Sequence, residues 1–307
     1  GYVFARAVLF CPKRRRGAVA TQSPTQRGRL LRRHTCPGGR CQGRAAPRND
    51  GIITMGTWIC HLRITEKLLP HFPELDKTLF TFGNLAPDSG IPNETWTEFD
   101  PPKEVTHFLQ KGEGEDMIRD LAYYREHLAN VNPQDDIQQY SFRFGYFTHL
   151  VCDILWMKYL GPTTKTAFHE MIAEDHEKAW GTIKKDWYGI DQVYNQAHPE
   201  SLFWQVIHKE LNPPSYLPFI QEKALHQQYD YIRKFYGEYD PYWFEERTYP
   251  YLNENTMKRI VEDTVKATLL VIEKLKHIEI ENLQSSSQIL PIELMLSYEM
   301  PLGDPTS

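Results

Sequence analysis

The apolar residues of this chain recur mainly at every third or fourth position, which is the spacing of amphipathic helices. Proline-rich joints at 87–102, 213–218 and 241–250 interrupt the pattern. No stretch shows a convincing alternation typical of strands, so we predict an all-α fold of about 230 residues. The predicted helices are 58–69, 115–131, 137–160, 163–177, 179–195, 201–211, 217–237 and 254–277.

The two ends of the chain differ in composition from its body. Residues 1–54 include twelve basic residues and one acidic residue, and their hydrophobic residues show almost no regular spacing. They fit a transit peptide, a nucleic-acid-binding arm, or, as we favour, upstream sequence that precedes a natural start at Met55. We therefore predict a basic, disordered or non-native extension over 1–54, a helical domain over 55–284 and a flexible tail over 285–307.

Charge and hydropathy narrow the classes of function. The body keeps 23 basic and 39 acidic residues, a net charge of about −16 that repels polyphosphate backbones and disfavours nucleic-acid partners. No apolar run reaches the roughly 18 residues of a membrane span, so we expect no transmembrane segment. An odd number of cysteines, five, without a C-x-x-C pair favours reduced thiols and a cytoplasmic location.

One histidine and one aspartate stand out within an apolar, aromatic helix. His149 and Asp153 lie four residues apart in FRFGYFTHLVCDILW, so they share a helix face and can point at one ion. Burying a carboxylate without a partner costs free energy, so Asp153 needs a nearby cation or hydrogen-bond donors. Pairs with the same spacing at 226/230 and 277/281 fit solvated helix faces better.

Three further residues extend this pair into a ligand set. Asp88 lies in GNLAPDSG, where it fits either a turn-capping aspartate or a ligand. His107 follows a Pro-Pro step, and His61 lies on the first helix. Taken with His149 and Asp153, they supply three imidazoles and two carboxylates, a nitrogen and oxygen set that suits zinc in a catalytic or mixed site.

Four segments in this order resemble the zinc-dependent phospholipase C family of bacteria, especially a short branch of it. They are WICHLRITEKLL, GNLAPDSG, PPKEVTHF and FGYFTHLVCDILW. The resemblance covers roughly residues 55–191 and implies an all-helical bundle with metal ions between the helices. Single-strand-specific zinc nucleases share that architecture.

The resemblance also implies roles for individual residues. Asp88, His107, His149 and Asp153 resemble the ligands of one zinc ion, and Asp153 would bridge to a second ion held by His61. Asp88 also matches the position of a general base, so we predict it as the catalytic residue. The resemblance thus implies two or more zinc ions and attack of activated water on phosphorus.

Two departures from the family pattern affect the second ion. Trp58 resembles an amino-terminal tryptophan of secreted members, but Met55, Gly56 and Thr57 precede it, so its nitrogen is an amide. The downstream histidine and His-x-x-x-Glu pair of those enzymes are not at their expected place. We predict Asp175, His176 and Asp186 as possible substitutes, the alternative being an ordinary charged helix face.

These observations predict a phospholipase C-like phosphoric-ester hydrolase that uses zinc-activated water on a phosphodiester such as a phospholipid headgroup. The expected partner is a small-molecule or lipid phosphoester. Two alternatives remain open: a single-strand nuclease of the same fold, and a non-catalytic helical scaffold stabilised by zinc. Fold and motif do not distinguish these substrates.

Overall fold

The computed structural model describes residues 55–94, 98–110, 118–209, 211–244 and 248–291. The extension predicted over 1–54 therefore lies outside the described residues. Ten α-helices make up most of the described chain. They are α1 (Trp58–Leu68), α2 (Lys77–Leu85), α3 (Lys103–Thr106), α4 (Asp120–Tyr123), α5 (Ile137–Ala167), α6 (His169–Glu174), α7 (His176–Ala197), α8 (Leu202–Gln205), α9 (Glu222–Gly237) and α10 (Glu254–Leu275).

The prediction of an all-α fold is confirmed, with one small addition. Two-residue strands β1 (Ile91–Pro92) and β2 (Phe99–Asp100) form an antiparallel pair after α2, where the sequence predicted only a proline-rich joint. Strands this short carry no detectable alternation, which is why the pattern missed them. Within the described residues, no helix combines the length and apolar character needed to cross a membrane.

Helix α5 is the centre of the fold and is longer than predicted. It runs from Ile137 to Ala167 through Pro162, where the sequence pattern indicated a break. Proline removes one backbone hydrogen bond from a helix. The Thr163 hydroxyl donates to the Tyr159 carbonyl at 2.8 Å, and buried residues continue to Thr164. Packing of this segment therefore outweighs the local preference for a break.

Two glycines let α2 and α5 cross with their backbones in contact. A Cβ atom on Gly83 would lie 2.7 Å from the backbone carbon of Phe142, and one on Gly145 would lie 2.8 Å from the backbone nitrogen of Asn84. Real Cβ atoms do not approach backbone this closely, so both positions require glycine. The crossing brings the end of α2 beside the residues of α5 that follow Gly145.

The carboxyl-terminal segment joins the domain beyond the predicted boundary. A 3₁₀ turn covers Ser286–Gln288, and the backbone nitrogen of Ser286 donates to Asp120 Oδ1 at 2.8 Å. Ile289 and Leu290 are buried. The structure thus places residues 285–290 in the domain rather than in the tail predicted over 285–307, because two apolar side chains and a buried carboxylate fix them. Residues 292–307 lie outside the described residues.

Candidate metal centre

Five side chains from four segments converge beside the α2–α5 crossing. His61 lies on α1, and Asp88 closes the 3₁₀ turn that follows α2. His107 directly follows α3, while His149 and Asp153 are one helical turn apart on α5. All five residues that the sequence singled out as ligands are therefore neighbours, although their role remains a prediction.

Nitrogen and oxygen atoms of four of these residues approach one another in three close pairs. His149 Nε2 is 3.1 Å from Asp153 Oδ2, and His107 Nε2 is 3.6 Å from the same oxygen. His107 Nε2 is also 3.5 Å from Asp88 Oδ1. Four ligands bound tetrahedrally to zinc at about 2.0–2.1 Å lie about 3.3 Å from one another. The observed spacings match that geometry.

The same atoms lack ordinary hydrogen-bond partners. His107 Nε2, His149 Nε2 and Asp153 Oδ2 are buried and make no hydrogen bond with another described atom. Buried polar atoms are nearly always hydrogen-bonded, so three such atoms facing one another call for a shared partner. A cation satisfies all three, and the residues present therefore fit a zinc ion.

Hydrogen bonds behind the imidazoles fix their orientation. His149 Nδ1 is 2.6 Å from the Asn84 carbonyl oxygen, so this ring nitrogen carries the proton and Nε2 is left to bind. His107 Nδ1 is 3.0 Å from Thr106 Oγ1, and the Tyr146 hydroxyl donates to the Thr106 carbonyl. Such outer contacts orient metal ligands and raise their affinity.

The two carboxylates also have outer partners. The indole nitrogen of Trp58 donates to Asp88 Oδ2 at 2.8 Å, which leaves Oδ1 facing His107. The backbone nitrogen of Gly56 donates to Asp153 Oδ1 at 3.0 Å. Each carboxylate thus has one oxygen held by the protein and one directed to the centre.

Burial and mutual charge set the protonation of the centre. Burial lowers the pKa of His61 and of His107, which keeps both imidazoles neutral and able to bind a metal. Burial raises the pKa of Asp88, but the neighbouring His107 and His149 outweigh it and lower the value to about 2. Both carboxylates are therefore ionised near neutral pH, since His149 and His61 also hold the pKa of Asp153 well below its ordinary value despite burial.

The substitutes predicted for the second ion do not join this cluster. Asp175 caps α7 by accepting from the Lys178 backbone nitrogen at 3.0 Å, and His176 is exposed beside it. Asp186 is buried and accepts from the Tyr251 backbone nitrogen at 2.8 Å. In the described part of the chain, the groups able to hold a metal contain none of these three residues. Their role at a second ion therefore stays a prediction, with no contact to the five convergent side chains to support it.

A comparison with protein families gives one match. Residues 60–179 match the model of the family described as zinc dependent phospholipase C. Over this segment, the chain is similar to the zinc-dependent phospholipase C family. The segment contains all five convergent side chains, and the match confirms the resemblance inferred from the four sequence segments. Neither the curated proteins nor the solved structures gave a significant match.

The family and the geometry together support a metal-dependent hydrolase. The family description names zinc, and two overlapping groups of side chains can hold a metal ion. One group is His61, His149 and Asp153; the other is Asp88, His107 and His149. His149 belongs to both groups.

Sequence reasoning missed the outer partners of the centre. Asn84, Gly56 and the indole of Trp58 carry no spacing signal, since each meets its partner only through the fold. Asn84 has one indirect sign in the sequence, the adjacent Gly83, which marks a close backbone approach. The backbone nitrogen of Gly56 and the carbonyl of Asn84 act through the main chain, which residue type does not reveal.

Proposed function

We propose that the chain is a zinc-dependent phosphoric-ester hydrolase acting on phosphodiesters, with phospholipid headgroups as the favoured class. The observation that carries the proposal is the convergence of Asp88, His107, His149 and Asp153 inside the family segment, with buried, unpaired atoms on the last three. The negative body charge supports a lipid or small-molecule ester over a nucleic acid.

Access to the centre supports catalysis from one side. The Asp88 side chain is 14% exposed, whereas the side chains of His107 and Asp153 are fully buried. We place the approach of water and substrate beside Asp88, because its side chain is more exposed than those of His107 and Asp153. The low pKa of this carboxyl keeps it ionised, so it can accept a hydrogen bond from a water molecule and orient it, which is the catalytic role we propose for Asp88.

Other residues of the chain would hold the ion and orient the side chains that bind it. His107, His149 and Asp153 would hold the ion, and Asn84 and Thr106 fix the two imidazole rings. Bound zinc supplies Lewis acidity that activates water and neutralises charge on a phosphoryl oxygen. Trp58 holds Asp88 in place through its indole nitrogen, so the reacting groups need little rearrangement.

The test measures hydrolysis by the zinc-loaded full chain with three substrates: short-chain phosphatidylcholine, bis(p-nitrophenyl) phosphate and single-stranded DNA. We expect turnover of the lipid, lost on chelation and restored by zinc. Asp153→Asn should lower kcat/KM at least about 100-fold, since loss of a ligand exceeds the usual cost of losing an outer contact.

Asp230→Asn is the matched control, because Asp230 has the same i, i+4 relation to a histidine but is 58% exposed and paired with Arg233. It should retain full activity. Preferred cleavage of DNA would support the nuclease instead. Absence of hydrolysis of all three substrates by protein that binds zinc would overturn the proposal in favour of a scaffold.

A further inference from the structure

The Trp58 indole is held by more than its hydrogen bond to Asp88. Three aromatic rings of α9, those of Tyr231, Phe235 and Tyr236, meet it edge to face, with ring centroids 5.7–6.2 Å away and planes 78–88° apart. Perpendicular packing is a favoured geometry for aromatic pairs. The three rings therefore restrict rotation of the indole and keep its N–H directed at Asp88 Oδ2.

A buried carboxylate fixes one of these rings. The Tyr236 hydroxyl donates to Asp191 Oδ2 at 2.7 Å, and both side chains are fully buried. Asp191 lies on α7, so this hydrogen bond joins α7 to α9 at a ring that contacts Trp58. Burial raises the pKa of Asp191, and the nearby Tyr236 and Thr57 offset part of this rise. Asp191 thus lies beside two neighbours of Trp58, one in space and one in the sequence.

The segment that contains Trp58 meets both carboxylates of the centre. The backbone nitrogen of Gly56 donates to Asp153 Oδ1 at 3.0 Å, and the Trp58 indole donates to Asp88 Oδ2 at 2.8 Å. Thr57 lies between these two donors and is buried. A group that fixes this segment therefore also fixes one oxygen of each carboxylate.

We propose that Asp191 is a positioning residue for the metal centre. It anchors the Tyr236 ring, and this ring orients the Trp58 indole toward Asp88. The inference rests on the proposed function and deepens it by adding a residue that acts through others. Asp191 and Tyr236 lie outside residues 60–179, and among the described residues neither belongs to a group able to hold a metal. The family match therefore does not account for this anchor.

The experiment has two readouts on the full chain. Zinc affinity is measured by competition with a chromogenic chelator. The indole N–H resonance of Trp58 is followed by NMR in metal-free protein that carries isotope-labelled tryptophan, and Trp58→Phe assigns it by its disappearance. The test variants are Asp191→Ala, Tyr236→Phe and Asp191→Asn, and circular dichroism establishes that each is folded.

Asp120→Ala is the matched control for loss of a buried carboxylate. Asp120 is also fully buried, and burial raises its pKa to about 7, as it does for Asp191. Asp120 accepts instead from the Ser286 backbone nitrogen at 2.8 Å, in the carboxyl-terminal turn. We expect this control to keep the Trp58 resonance and the zinc affinity of the unmodified chain.

Asp191→Ala and Tyr236→Phe should shift the Trp58 resonance and speed exchange of its proton with water, because each removes the hydrogen bond that fixes the adjacent ring. Zinc affinity should fall about 10-fold in both variants, as for loss of an outer contact. Asp191→Asn should keep both the resonance and the affinity, since its amide oxygen still accepts from Tyr236.

Combination with Trp58→Phe separates positioning from a general structural role. If Asp191 acts through the indole, the double variant of Asp191→Ala with Trp58→Phe should bind zinc no more weakly than Trp58→Phe alone. Two independent contributions would instead multiply to a loss of about 100-fold.

Three results would overturn the inference. The first is an unmoved Trp58 resonance in folded Asp191→Ala, or in Tyr236→Phe if the alanine variant does not fold. The second is an equal loss of zinc affinity in Asp191→Ala and Asp120→Ala, and the third is a multiplied loss in the double variant. Folded, unmodified protein that binds no zinc would overturn the proposed function, while the resonance would still decide whether Asp191 positions Trp58.

Discussion

Replacing Gly145 with alanine tests whether the α2–α5 crossing holds the metal centre together. The new Cβ would lie 2.8 Å from the Asn84 backbone nitrogen and nearer still to the Phe80 carbonyl oxygen. Nonbonded heavy atoms prefer about 3.5 Å, so the two helices must separate by about 1 Å. Both obstacles are backbone atoms, which cannot rotate away.

The magnitude follows from two opposing effects. Overpacking of this kind costs about 1–3 kcal/mol, and rigid backbone contacts favour the upper end. Alanine regains up to about 1 kcal/mol over glycine within a helix. We expect a net loss of about 2 kcal/mol, or a Tm lower by about 4–8 °C in a domain of this size. The same displacement breaks the 2.6 Å contact of His149 with Asn84, so zinc affinity should fall about 10–100-fold.

The assay combines thermal unfolding of the metal-free chain with a zinc titration against a chromogenic chelator. Gly181→Ala in α7 is the control for helix propensity alone, because its Cβ contacts nothing within 4 Å. We expect this control to be neutral or slightly stabilising, with unchanged zinc affinity. If Gly145→Ala matched it in both measurements, the close crossing would not position the centre.

Three further outcomes follow from the site and its surroundings. Trp58→Phe keeps an aromatic ring but removes the hydrogen-bond donor to Asp88, so zinc should bind about 10-fold more weakly in a competition assay. The control Trp204→Phe, whose indole donates to the Asn195 carbonyl instead, should leave zinc affinity unchanged. Zinc at about 100 times Kd should stabilise the chain by about 2.7 kcal/mol in thermal unfolding, an effect that chelation reverses and His149→Ala abolishes. Burial raises the pKa of Asp191 to about 7 from its ordinary value of 3.8, so this carboxyl takes up a proton on folding. The contribution of Asp191 to the stability of metal-free protein should therefore fall as pH rises from about 4 to about 7. In chemical denaturation, the difference in stability between Asp191→Asn and the unmodified chain should change over this range, and a difference that is independent of pH would contradict the assignment.

Local patterns in the sequence are enough to predict the fold class and the residue types of the candidate ligands. A helical period of apolar residues is a local property, so it indicated α-helices before any tertiary contact was known. The pair His149 and Asp153 needed only one turn of α5 to become neighbours. Local signals failed where packing outweighed them, as at Pro162, which α5 includes instead of ending there.

Contacts between distant segments establish which candidate ligands meet and which of their atoms have other partners. The Gly56 backbone contacts Asp153 across 97 positions of sequence, and the Trp58 indole contacts Asp88 across 30. Asp186 is a possible ligand by residue type, but in the fold its carboxylate accepts from the backbone nitrogen of Tyr251, and it belongs to neither group that can hold a metal. Residue type tells which atoms can bind a metal, but only the packing of distant segments tells which of those atoms other groups already occupy.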